Sequence, residues 1–318
     1  MKNSIYMTIV VTAVMLTGCS RVVADIQERA VMMSADVCGP DVVTKASGEV
    51  YTGEVPTADN PLAVDLWFSE ESGKYGTETP GNTETYIPCH TRMTFDTGNP
   101  VAVLYEGDSG KALKYPTDGN IMCMGFYPQG VWTWSGTDGV VATAEIGGSD
   151  DLMFAPEITG NWNDKFGPQQ YGHVLAWLEI VGCATSHDAD DAWGKITKIS
   201  VSSKSIVNIS AADGSPVYAG DDISIPALND SEGRDLKVVF DNTETGVYGS
   251  VFVSPAESVT VTVLTSDGKT AEKTIAPAGG FMAGRQYVVA LYFDPLAIID
   301  GFCTLTSWEN ENDNLYIR

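Results

Sequence analysis

Val259-Thr260-Val261-Thr262-Val263 alternates strictly between apolar and polar residues and runs on to Asp267-Gly268. A period of two places the apolar side chains on one face of a β-strand. Asp-Gly is a dipeptide that tight hairpin turns favour. The pattern therefore predicts a β-hairpin whose second strand covers residues 271–275.

The rest of the chain repeats this organisation, with short segments rich in Val, Ile, Thr, Tyr and Trp between turn signals. The sequence contains 32 Gly and 15 Pro, which punctuate it throughout. No amphipathic helix longer than a few turns is evident, so we predict an all-β protein. The other predicted strands are residues 31–37, 62–68, 91–96, 101–105, 121–127, 131–134, 173–181, 196–201, 236–240, 287–293 and 302–308.

Length and charge limit the function. The chain has 318 residues and a net charge of −24, which suits two domains of ordinary size. Nucleic-acid binding is not expected, because phosphates require clustered Lys and Arg. The same charge argues against a protein that lies flat on an anionic membrane surface.

The amino terminus has the pattern of an export signal. Lys2 precedes an apolar run over residues 5–16 that is too short to span a bilayer. Leu16-Thr17-Gly18-Cys19 then resembles the lipobox of bacterial lipoproteins, which implies that residues 1–18 are removed and that Cys19 receives lipid. Residues 19–30 would be a lipidated tether. An ordinary secretory signal with a coincidental Cys is the alternative.

Five cysteines follow Cys19, with no CxxC spacing among them. An oxidising compartment permits disulfides, but spacing does not reveal the pairing. We expect most of these cysteines to be buried small apolar residues. They are Cys38, Cys89, Cys123, Cys183 and Cys303.

The sequence contains only weak signals for a metal site or a catalytic site. The acidic stretch 185–191 contains His187 but is read as a solvated linker. Gly107-Asp108-Ser109-Gly110 is similar to the nucleophile segment of chymotrypsin-like proteases, yet only His90 precedes it as a base in the mature chain. The adjacent acids Asp150-Asp151 and Asp221-Asp222 point to opposite faces of a strand and cannot form glycosidase pairs alone. We predict no catalytic residues, no metal and no cofactor.

Five aromatic residues suggest a different function, a lipid-anchored surface protein that binds glycans. They are Trp132, Trp134, Trp162, Tyr127 and Tyr171. Aromatic platforms bind sugars, but Trp132 and Trp134 at a spacing of two would equally lie side by side in a core. We favour the core position for them.

Several segments together, in order, resemble the fimbrillin family, the lipoprotein pilins of anaerobic Gram-negative bacteria. They are the lipobox, residues 151–155, 173–181 and 284–291, and the Trp-containing segment 304–308. The resemblance implies two β-sandwich domains of transthyretin-like topology, residues 31–186 and 187–318. It also implies an outer-membrane lipoprotein precursor, from which a protease removes the first strand. A strand from the next subunit's carboxy terminus would then fill the groove.

The removable strand would be residues 31–44. Family members mostly carry Arg at the cut, and the matching position here is Lys45, before Ala46. Arg29-Ala30 has the right chemistry but precedes the strand, so a cut there would sever the lipid without opening the groove. Stalk, tip and anchor roles all stay open.

The candidate donor strand is residues 310–318. Its apolar part is Leu315, Tyr316 and Ile317, after an acidic stretch. A frayed tail is the alternative, because terminal residues are often poorly ordered. The expected partners are other pilin subunits, the outer membrane through the lipid, a maturation protease and a ligand on a host or bacterial surface.

Overall fold

The computed structural model describes residues 30–38, 55–73, 75, 89–104, 112–116, 118–135, 141–238 and 246–306. Eighteen strands and one short helix lie in these ranges, and the sheets pack as sandwich-like domains, so the all-β prediction is confirmed. The elements are β1 (Met32–Met33), β2 (Ala35–Cys38), β3 (Leu62–Ser69), β4 (Cys89–Phe95), β5 (Val101–Ala102), β6 (Ile121–Tyr127), β7 (Thr133–Ser135), β8 (Val141–Glu145), β9 (Met153–Gly160), β10 (Gln169–His173), β11 (Ala176–Ala184), α1 (His187–Trp193), β12 (Ile196–Ser210), β13 (Pro216–Arg234), β14 (Gly246–Val253), β15 (Val259–Thr265), β16 (Thr270–Ile275), β17 (Gln286–Phe293) and β18 (Ile298–Thr306).

The first half of the chain forms a six-stranded sheet in the order β2-β10-β9-β6-β3-β4. All neighbours in it are antiparallel except β2, which runs parallel to β10 at the edge. A second, two-stranded sheet pairs β1 with β5. The first segment of the described chain therefore joins two sheets, through β1 and then β2.

The second half of the chain contributes most strands of two further sheets, one of which also contains β7 and β8 from the first half. One has the order β14-β11-β17-β18, and the other has the order β16-β15-β12-β8-β7, with β13 paired to β12. In β15 every alternate residue from Val259 to Thr265 is buried. The hairpin predicted from this alternation is confirmed, since β15 pairs with β16 and Gly268 takes a positive φ of 80° in the turn.

Strand pairing crosses residue 186, where the resemblance places the domain boundary. The carboxy-terminal half of β12 pairs with β8, and β11 lies between β14 and β17. The turn between β12 and β13 also reaches the first half of the chain, because Gly214 lies against Phe154. The division into two domains at this residue stays a prediction.

Several local predictions were wrong, among them the strand expected over residues 236–240, where Leu236 and Lys237 lie outside any strand and Val238 forms only an isolated bridge with Ala184. The single strand expected over residues 173–181 is interrupted at Val174 and Leu175, where the chain leaves β10 in one sheet and enters β11 in another. The linker expected over residues 185–191 is largely α1, whose first turn is capped by the Ser186 hydroxyl accepting from the Ala189 N–H. Trp193 anchors this helix by donating from Nε1 to the carbonyl of Asp294 at 2.6 Å.

Buried apolar residues form two clusters. The smaller one lies on one face of the six-stranded sheet and includes Val31, Met33, Phe68 and Tyr171. The larger one fills the space between the two later sheets and extends to the opposite face of the six-stranded sheet, where it includes Trp67 and Phe126. No helix in the described ranges is long and apolar enough to span a membrane.

Candidate functional site

The segment formed by residues 30–38 is an integral part of the smaller core. Val31, Met33 and Ala35 are completely buried, and Val37 is almost so. Met32 and Asp36, between them, are partly exposed. This alternation, interrupted only by the buried Ser34, places one row of apolar side chains against the sheet.

The backbone of the segment is bound at both ends. In β2, residues 35–38 pair in parallel with residues 169–172 of β10, and the Gln169 N–H donates to the Ser34 carbonyl at 2.9 Å. At the other end, Ala30 forms an antiparallel bridge with Lys114. Because β1 also pairs with β5, removing the segment would leave backbone groups of three other segments without partners.

Three backbone hydrogen bonds form a ring around Val31. Its N–H donates to the Leu113 carbonyl at 2.7 Å, and its carbonyl accepts from the Val103 N–H at 2.9 Å. Leu113 in turn donates to the Val103 carbonyl at 2.7 Å. All three side chains are completely buried, so the removal of Val31 would break two of the three bonds and uncover the other two residues.

Apolar side chains form the surface beneath the segment. The buried members are Leu62, Val64, Leu66, Phe68, Phe95, Val103, Leu113, Tyr115, Ile121, Cys123, Met153, Ala155, Phe166 and Tyr171. Tyr171 also donates to the Gln169 Oε1 at 2.7 Å, and burial raises the pKa of Tyr171 well above its usual value. Without residues 30–38, this surface would be an apolar groove bordered by β10.

The described residues include the start of the candidate strand but not its predicted cut. Lys45 and Ala46 lie outside them, as do Cys19, Arg29, and the donor residues Leu315, Tyr316 and Ile317. Ala30, the other side of the alternative cut, is the first described residue. A cut between Arg29 and Ala30 would leave residues 30–38 in place.

The aromatic residues considered for glycan binding do not converge on one exposed face. Trp132 and Tyr171 are buried, which confirms the core position favoured for Trp132. Trp134 is stacked on Trp67 with ring centroids 4.4 Å apart, in the larger cluster. Trp162 and Tyr127 pack instead at the margin of the smaller cluster.

A buried carboxylate, Asp65, is the centre of a polar cluster that the sequence analysis missed. Its side chain is 2% exposed. Oδ1 lies 2.9 Å from Nε2 of His90 and accepts from Nε of Arg92 at 3.3 Å, while Oδ2 accepts from the Gly130 N–H at 2.6 Å. The sequence feature that could have revealed this cluster is Asp65 itself, an acid within the otherwise apolar run Leu62–Phe68. A buried acid requires hydrogen-bonding or charged partners, so such partners could have been sought.

His173 and Asp151 form a second buried pair. Nδ1 of His173 lies 2.9 Å from Oδ1 of Asp151 and 2.8 Å from Oδ2. Both side chains are at most 3% exposed. The pair joins the end of β10 to the segment before β9, so it supports the fold where the chain passes between sheets.

Cysteine and metal chemistry can be described for part of the chain. Cys123, Cys183 and Cys303 are free thiols, the first two buried and the third half-buried. Burial raises the pKa of Cys183, and it raises that of Cys303 to about 11. No group of His, Cys, Asp or Glu suited to a metal occurs among the described residues. The Ser109 segment lies outside them.

Several solved structures resemble this chain in fold. A candidate cell-adhesion protein from Bacteroides uniformis is 18% identical with a TM-score of 0.56, and the match covers 88% of this chain and 98% of that one. A candidate cell-adhesion protein from Bacteroides ovatus is also 18% identical with a TM-score of 0.52, covering 87% and 96%. No model of a known protein family matches the sequence, and no curated protein matches it. Membership of the fimbrillin family stays a prediction.

Proposed function

We propose that this protein is a structural or adhesive subunit of a surface fimbria. It is exported as a lipoprotein through Cys19 and is held at the outer membrane by lipid. Each buried CH₂ of the lipid contributes about 0.8 kcal/mol to the anchoring. The fold shared with two candidate cell-adhesion proteins supports the adhesive part of this proposal.

The position of residues 30–38 is the observation that carries the assembly part. This segment is at the amino-terminal end of the described chain, fills the smaller core and pairs at a sheet edge. A segment near a terminus can leave without breaking the connections between the remaining strands. A second strand with alternating apolar residues could replace it, forming backbone bonds with β10.

The donor in this scheme is residues 310–318 of a neighbouring subunit. Leu315 and Ile317 are two residues apart, so they would point to the same side of an extended strand. Because the donor and the groove lie at different places on the chain, the contact does not close on itself. Repetition of such a head-to-tail contact gives a filament.

Mass spectrometry of the protein from its native surface tests the maturation step. A mature start at Ala46 supports strand removal. A lipid-bearing Cys19 on the assembled protein indicates an unprocessed anchor subunit, and a start at Ala30 indicates a groove that is still filled.

A nicked protein tests strand exchange directly. A site for a specific protease is introduced at Lys45-Ala46, and the folded full chain is cut there. A peptide of residues 310–318 should then displace the amino-terminal fragment and stay bound. The uncut protein and a peptide with Leu315→Asp and Ile317→Asp are the controls. Equal binding of the peptide to cut and uncut protein, or no binding to either, would contradict the exchange.

A further inference from the structure

The smaller core contains a buried amide beneath the segment of residues 30–38. This is the side chain of Gln169 on β10, which is completely buried. Its Nε2 donates to the Cys123 Sγ at 3.4 Å, and its Oε1 accepts from the Tyr171 hydroxyl at 2.7 Å. Both partners belong to the smaller cluster. The amide is therefore held on the face of the sheet that the segment covers.

Ala35 lies directly beside this amide. It pairs with Gln169 in the parallel ladder of β2 and β10, and the side chains of paired residues point to the same face of a sheet. Ala35 is completely buried although its side chain is a single methyl group. A longer side chain in its place would have to displace Gln169 and break the bonds that the amide forms.

Gln169 and Tyr171 have little room to retreat from a larger neighbour. A Cβ at Gly125 would lie 2.0 Å from the Tyr171 hydroxyl and 2.6 Å from Gln169 Oε1. Both side chains therefore already lie against the backbone of β6. The space beside position 35 is limited by a support that is itself closely packed.

The other half of the segment carries larger side chains. Met33 is one of the largest completely buried side chains in the described chain, and Val31 is completely buried where it is bonded to Leu113 and Val103. The segment thus places two large apolar side chains at one end and a single methyl group beside Gln169.

We propose that the groove beneath residues 30–38 selects its occupant by side-chain size. It takes large apolar side chains in the places of Val31 and Met33, and only a small side chain in the place of Ala35. The proposal rests on the strand exchange proposed above, and it specifies how the incoming strand is positioned.

The occupant is the carboxy-terminal segment of a second copy, whose Leu315 takes the place of Val31. Ile317 then takes the place of Met33. This register adds a single heavy atom in total, since leucine has one carbon more than valine, and isoleucine and methionine have equal numbers of heavy atoms. Overpacking is therefore slight.

A register shifted by four positions is unfavourable for two reasons. Leu315 would then replace Ala35, which adds three carbons beside Gln169. Glu311 and Asp313 would enter the apolar half of the groove, where an unpaired carboxylate is costly. The size rule and the charge pattern of the carboxy-terminal segment therefore select the same register.

Substitutions in the intact mature chain test the size rule, because there the segment fills its own groove. Ala35→Leu should raise the equilibrium constant of unfolding, measured in urea, by about thirtyfold or more, which is within the usual range for overpacking. Met33→Leu conserves volume and should change this constant by less than about tenfold. An Ala35→Leu chain as stable as the Met33→Leu chain would overturn the proposal.

A double variant assigns the limit to Gln169. Gln169→Ala makes space beside position 35, so Ala35→Leu should change the unfolding constant at least about fivefold less in the Gln169→Ala background than in the parent. Equal effects in the two backgrounds would overturn the role of Gln169 in setting the size limit.

The nicked protein described above tests the register. In its complex with the peptide of residues 310–318, methyl NOEs should connect Leu315 of the peptide to Val103 and Leu113, which surround the place of Val31. NOEs from Leu315 to the Gln169 amide would overturn the register. If no peptide binds, the strand exchange itself is contradicted, and the urea unfolding of Ala35→Leu still decides the size rule.

Discussion

The Val31 N–H donates to the carbonyl of Leu113 at 2.7 Å, and both side chains are completely buried. This contact joins the candidate removable strand to a segment more than 80 positions later in the sequence. The strand is therefore held by tertiary contacts and not only by its neighbours in the chain. Its alternating burial continues through Met33, Ala35 and Val37.

Charge at the buried positions of this strand should weaken the fold. Val31→Asp would place an unpaired carboxylate in an apolar core, so we expect a loss of about 3 kcal/mol or more in the free energy of unfolding. Asp36→Asn, on the exposed side of the same strand, should change it by less than about 1 kcal/mol. Urea unfolding of both variants measures the difference. Equal effects would show that residues 30–38 are not packed as described.

The sequence predicted an element correctly where the strand pattern and the turn signal that ends it were adjacent in the chain. The hairpin of β15 and β16 is such a case, because its alternation and its Asp-Gly turn are adjacent in the sequence. The break at Val174 and Leu175 could not be found in this way. Those residues are apolar and buried like their neighbours, and only the change of sheet separates β10 from β11.

The longest strand, β13, was also missed, for a different reason. It contains Pro216, Pro226 and Gly220, which usually interrupt strands. These residues are tolerated because β13 pairs with β12, while its other edge has no sheet partner in the described part of the chain. Gly220 takes a positive φ of 79° near a shift of register. Whether a strand lies at the edge of a sheet depends on the tertiary fold, so it cannot be read from the local sequence.

The candidate site was predicted in part. A single strand was predicted over residues 31–37, and the structure divides it at Ser34 into β1 and β2, which lie in two different sheets. The Asp65 cluster was not foreseen, because its members come from three separate segments of the chain. Only strand pairing brings Asp65 and Arg92 opposite one another.

Asp65→Ala should be strongly destabilising. The substitution would leave Arg92, His90 and the Gly130 N–H without their shared acceptor, and losing hydrogen bonds to a charged group typically costs about 1.5–3 kcal/mol. Asp222→Ala provides the matched control, since its pair with Lys204 is exposed and should contribute about 1 kcal/mol or less. Thermal unfolding measures both. A small effect of Asp65→Ala would show that the cluster does not hold Arg92 and Gly130 against β3.

Glu179 should make the protein less stable as pH rises. It lies on β11 between Ser250 and Val288, and burial raises its pKa. Because the folded state keeps this proton to a higher pH than the unfolded state does, the free energy of unfolding falls as pH rises from the unfolded pKa through the folded one. Glu179→Gln should therefore be more stable than the parent at pH 7, with a flatter pH dependence. The exposed substitution Glu272→Gln is the control and should show neither change.

The three free thiols should react slowly in the folded protein. At pH 8 a thiol whose pKa is about 11, such as that of Cys303, is almost entirely protonated, and the thiolate is the reactive form. Peptides holding Cys123, Cys183 and Cys303 should take up iodoacetamide only after the protein is unfolded without a reductant. Mass spectrometry of the labelled peptides measures this. Failure of these peptides to react after unfolding would reveal a disulfide.

Gly125 should be required for packing beneath the candidate strand. A Cβ at this position would lie 2.0 Å from the Tyr171 hydroxyl and 2.6 Å from Gln169 Oε1. Both side chains are completely buried, so they cannot move into solvent. Gly125→Ala should cost about 1–3 kcal/mol or more, the usual effect of overpacking.

Gly147→Ala is the comparison for Gly125→Ala, since nothing lies within 4 Å of its Cβ position. It should be neutral or stabilising by up to about 1 kcal/mol, because alanine reduces the freedom of the unfolded chain. A double variant, Gly125→Ala with Tyr171→Leu, should lose less stability than the sum of the two single variants, since leucine removes the Tyr171 hydroxyl, the nearest of the clashing atoms. Strict additivity in urea unfolding would mean that Gly125 and Tyr171 do not touch, and that the groove is shaped by other residues.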